Sequence, residues 1–138
     1  MVIVIIALSV FSFYYLNRFP TTEEIEYAEI YNRISEENIK ITKEDARKLY
    51  NTFKVEKQSK DRVKAPYNNE IRFYNHSGKK IIQIDCLDPK HKKYPSAVVS
   101  SKVFHVIYDI DGEFYLYLVE IGKKYNFNYS IIPNSPKS

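Results

Sequence analysis

The stretch TTEEIEYAEIYNRISE, Thr21 to Glu36, decides how the chain is read. Thr21 and Glu24 stand at the spacing of a capping box, in which each side chain satisfies the other's backbone N–H at a helix start. Tyr27, Ile30, Tyr31 and Ile34 then recur at i, i+3, i+4 and i+7, and Glu23, Glu26, Glu29 and Arg33 lie largely outside that stripe. This periodicity predicts a helix over about 22 to 36. A second start follows at Thr42, with Asp45 three residues on and Ile41 placed to staple onto Ala46. Ala46, Leu49, Tyr50 and Phe53 repeat at helical spacing, which predicts a helix over about 43 to 54.

Beyond Pro66 the period changes to two. Residues 70 to 75 alternate around Ile71 and Phe73, residues 76 to 79 supply a turn, and Ile82, Ile84 and Cys86 share one face of a returning strand. Residues 102 to 110, Asp111-Gly112 and residues 113 to 121 read as a second hairpin, since Asp-Gly suits a type I′ turn. Tyr125, Phe127 and Tyr129 alternate with polar residues and suggest a fifth, edge strand. Two helices followed by strands predict an α+β fold, with both helices packed on a four- or five-stranded antiparallel meander.

Ahead of the two helices, MVIVIIALSVFSFYYL runs sixteen residues without a charge and is closed by Asn17 and Arg18. No basic residue precedes it and no small-residue cleavage site ends it, so an uncleaved transmembrane signal-anchor over residues 1–19 fits better than a removed leader or a buried first element. Residues 20–132 then form a single domain and 133–138 a disordered tail. Arg18 and Arg33 after the segment favour a cytoplasmic domain by the positive-inside rule, whereas the usual arrangement of short bacterial-type anchors is the reverse. The expectation adopted is a membrane-anchored domain outside the cytoplasm, periplasmic or on the cell surface.

Composition removes several function classes. The 138 residues hold one cysteine and three glycines, none adjacent, so a disulfide scaffold and a glycine-rich phosphate loop are excluded. Ile, Lys, Tyr and Asn make up 56 residues and Lys outnumbers Arg 16 to 5, as an AT-rich coding sequence produces. The net charge of +4 is uneven: residues 54 to 102 carry twelve basic and five acidic side chains, while residues 21 to 53 carry five and eight. Lys54, Lys57, Lys60, Arg62 and Lys64, with Lys90, Lys92 and Lys93, make this middle third the part that could bind nucleic acid or anionic lipid.

His76, His91 and His105 show no metal-ligand spacing. A thiol hydrolase would require Cys86 to meet His105, but Cys86 on an Ile-rich face reads as a small core residue. Asp109, Asp111 and Glu113 are explained by turn chemistry and not by a calcium loop. Asn75-His76-Ser77 and Asn128-Tyr129-Ser130 are sequons that an Asn-rich chain produces by chance. No cofactor or metal is therefore expected. The reading that remains is a non-catalytic, membrane-tethered domain that binds another protein, of acidic character, as an inhibitor or immunity-type protein does. Its candidate surface is Tyr125, Phe127 and Tyr129 with Lys90, Lys92, Lys93 and Tyr94. The alternative is a cytoplasm-facing binder of nucleic acid or anionic lipid.

Overall fold

A computed structural model describes residues 1–53, 55–58, 67–87, 96–100, 105–110 and 112–127. Helix α1 spans Val2–Asn17, followed by a 3-10 turn over Thr22–Glu24, strands β1 (Tyr27–Asn32) and β2 (Glu37–Ile41), and helix α2 (Lys43–Thr52). Strands β3 (Val55–Gln58), β4 (Tyr67–Tyr74), β5 (Lys80–Leu87), β6 (Ser96–Ser100) and β7 (His105–Ile110) come next, and helix α3 (Gly112–Lys124) closes the order. Among the described residues seven strands form one sheet in the order β2-β1-β4-β5-β6-β7-β3, and every pairing is antiparallel.

The predicted pair of N-terminal helices on a four- or five-stranded meander is corrected: seven described strands form the sheet, β3 lies beside β7 out of meander order, and three elements change type. Residues 22 to 36 are not a helix: the capping box forms, with Thr21 N donating to Glu24 Oε2 at 2.7 Å, but it caps a single 3-10 turn. A β1–β2 hairpin follows, because a second period is written over the same letters. Ala28, Ile30 and Asn32 alternate with Tyr27, Glu29 and Tyr31, and the first set is buried. Partners across both edges of β1, Ile39 and Ile41 on β2 and Ile71 and Phe73 on β4, reward the two-residue period. Ile34, which completes the helical stripe on paper, is 68% exposed in the turn.

Residues 113 to 121 are not a strand either. Phe114, Tyr115, Leu118, Ile121 and Gly122 are buried at helical spacing along α3, so the 3.6 period overrides the β-propensity of its aromatic residues. The third correction is the edge strand at Tyr125. Asn126 takes φ +52 at the end of α3, and Phe127 N donates to Gly122 O at 2.8 Å. Asn126 N also bonds Lys123 O, which completes a Schellman-type stop with the buried Phe127 behind it.

The membrane expectation is overturned as well. Helix α1 stops at Asn17 because Arg18 turns extended and Pro20 follows, leaving 16 residues. At 1.5 Å per residue it is about 24 Å long, short of the roughly 30 Å hydrocarbon layer. No helix among the described residues is long and apolar enough to cross a membrane, so the transmembrane anchor and the periplasmic or cell-surface placement built on it are not supported.

The core lies on one face of the sheet. Ala28, Ile30, Ile71, Phe73, Ile82, Ile84 and Cys86 meet Ala46 and Leu49 of α2 and Phe114, Leu118 and Ile121 of α3. Aromatic rings knit the layers, Tyr50 on Phe73 at 5.3 Å and Phe53 on Phe114 at 5.5 Å, both edge to face. Helix α2 forms where the sequence predicts one, with Thr42 Oγ1 accepting from Asp45 N. It also holds the incoming chain: Arg47 donates to Ile25 O and Glu23 O, and the Tyr50 hydroxyl to Pro20 O at 2.7 Å.

The hairpin formed by residues 27 to 41 can be tested at its turn. Glu36 sits at φ +58, which costs an L-residue roughly 1 kcal/mol that glycine avoids. Glu36→Gly is therefore expected to raise the urea midpoint by relieving that positive φ, and an unchanged or lowered midpoint would count against the turn geometry.

Candidate interaction surface

The face of the sheet opposite the core carries the polar half of strands β1, β2, β4 and β5. Strand register arranges it as rungs: Lys40, Glu29, Arg72 and Gln83 on one, Asn38, Tyr31, Glu70 and Asp85 on the next, and Tyr27, Tyr74 and Lys80 on a third. The buried residues of α2 and α3 belong to the core on the other face, and α1 is exposed along its described side chains. No described helix therefore lies over these rungs.

Their side chains are tied to one another. Tyr27 and Tyr74 stack at 4.8 Å with 9° between planes, Lys40 Nζ stands 3.8 Å over the Tyr27 ring, and the Tyr74 hydroxyl donates to Glu29 Oε2 at 3.0 Å. Arg72 lies 5.6 Å over Tyr31 and donates to Glu70 from Nε at 3.1 Å, while Arg33 donates to the other Glu70 oxygen. Lys80 Nζ donates to Gln83 Oε1 and Gln83 Nε2 to Asp85 Oδ1, at 2.8 and 2.9 Å. The result is a half-exposed aromatic and cationic surface whose rotamers are already set. Little side-chain entropy is left to lose on contact with a partner.

Glu70 is almost wholly buried, and burial alone would raise its pKa. The hydrogen bonds from Arg72 and Arg33 outweigh that and hold it below the ordinary carboxylate value, while Glu70 in turn raises Arg72. Tyr74 is raised, by burial and then by its bond to Glu29.

A second polar cluster joins the two helices. Asp45, buried near the start of α2, accepts from Lys124 Nζ at 2.8 and 3.0 Å and from the Tyr125 hydroxyl at 2.6 Å. Tyr125, one of the residues expected on an exposed edge, thus has its hydroxyl committed to the fold, and Phe127 sits in the core. Lys90, Lys92, Lys93, Tyr94 and Tyr129 lie outside the described residues, as do His91, Asp111 and the loop lysines Lys54, Lys60 and Lys64 with Arg62. The basic middle third is therefore represented by β3 to β6 without its most charged loops.

Cys86 and His105 are not brought onto one rung. Cys86 pairs with Ala97, and His105 with Ser100, three positions farther along β6. Three strand residues and two strand spacings separate them, about 10 Å along and about 10 Å across. The Cys86 thiol is fully buried, and burial followed by the neighbouring Asp85 carboxylate pushes its pKa far above the usual thiol range. Beside it on β4 is Asn69, also fully buried, whose Oδ1 and Nδ2 lack hydrogen-bond partners. Among the described residues no three His, Cys, Asp or Glu side chains are placed to hold a metal ion.

Tyr27 and Tyr31 are the surface residues that the helical reading of β1 conceals, and the β1–β4 register is what brings Arg72 and Tyr74 beside them. The signal for them is the Tyr-Ala-Glu-Ile-Tyr-Asn alternation, which becomes decisive only beside the matching alternation of β4. No protein-family model, curated protein or solved structure matches this chain.

Two measurements check this geometry. Cys86 is expected to react with iodoacetamide at neutral pH far more slowly in the native protein than in urea, since the thiolate is the nucleophile. Rapid labelling of the folded chain would contradict its burial. The second uses Glu70, whose folded-state pKa is depressed below its ordinary value of 4.5. Its contribution to stability is complete above that value and is lost as the pH falls below it. Glu24, Glu26 and Asp45 act in the same direction, with Glu24 held down to about 2 by Arg18. The urea midpoint should fall on acidification below about pH 4.5, and Glu70→Gln should flatten part of that fall.

Proposed function

We propose that this chain is a non-catalytic binding domain whose partner is a protein, engaged through the outer face of β2, β1, β4 and β5. The observation that carries the reading is the ordered group of Tyr27, Tyr31, Arg72 and Tyr74. Tyr and Arg dominate the energetics of protein interfaces, because each offers a large contact area with a polar handle. Here the rings and the guanidinium are held by neighbours on the same face, and interleaved Glu29, Glu70 and Lys40 give a mixed-sign field suited to a partner of mixed charge. A surface meant for phosphate would instead leave its cations unpaired, and Arg72 is engaged by Glu70.

The test is affinity capture by the full chain, comparing wild type with Tyr31→Ala and Arg72→Ala. A protein held at a fixed ratio by wild type, released by either variant and indifferent to nuclease is the expected result. Equal capture by the variants, or loss of the captured material on nuclease treatment, would overturn the reading.

A further inference from the structure

We draw no further inference here: the strongest candidate, the surface of helix α1, whose large apolar side chains from Val2 to Tyr15 all stand more than half exposed, is an unpartnered apolar patch, and nothing in the structure shows what covers it.

Discussion

The pairing of β1 with β4 is the interaction on which the rest of the structure depends. Its register, Ala28 with Phe73 and Ile30 with Ile71, assigns every residue of both strands to one face or the other. One side becomes the floor under α2 and α3, and the other becomes the tyrosine and arginine surface. A slip of one residue would exchange the two faces, burying Glu29 and Arg72 while exposing Ile30 and Phe73. Burial of several large apolar side chains, each worth on the order of 1.5–3 kcal/mol, forbids that slip.

The helices are held to this sheet by contacts at their ends as well as by their apolar faces. Asp45, at the positive end of α2, meets Lys124 at the end of α3, where cations are favoured, so the two helix dipoles and the ion pair reinforce one another. Tyr125 adds a hydroxyl to the same carboxylate and accepts from Thr42 N at 3.1 Å. On the N-terminal side of the fold, the bidentate Arg18–Glu24 pair and Arg47 fix the chain as it leaves α1. These are polar ties on an apolar layer; they determine how the layer is oriented more than whether it forms.

Several features were legible in the letters: α2 with its Thr42 cap, the β4–β5 hairpin around residues 75 to 79, and Cys86 as a core thiol. In each of these only one period fits the residues. The misread segments are those in which two periods coexist. Residues 27 to 34 satisfy both i, i+3, i+4, i+7 and strict alternation, and residues 113 to 121 mix aromatic strand formers with a helical burial stripe. Local pattern cannot rank two periods when both place apolar residues on one side. The candidate surface was lost with the first of these errors, since Tyr27 and Tyr31 counted as the core side of a helix.

By itself the sequence determined what could be decided within a few residues: caps, turns, one cysteine without a disulfide partner, no glycine-rich phosphate loop, and the class α+β. The tertiary structure decided which of two periods each ambiguous segment obeys, because the choice depends on what stands across from it. Ile71 and Phe73 lie about forty residues from β1, yet they select strand over helix there. Pairing between distant segments creates the surface that carries Tyr27, Tyr31, Arg72 and Tyr74, and no one of those strands encodes it alone.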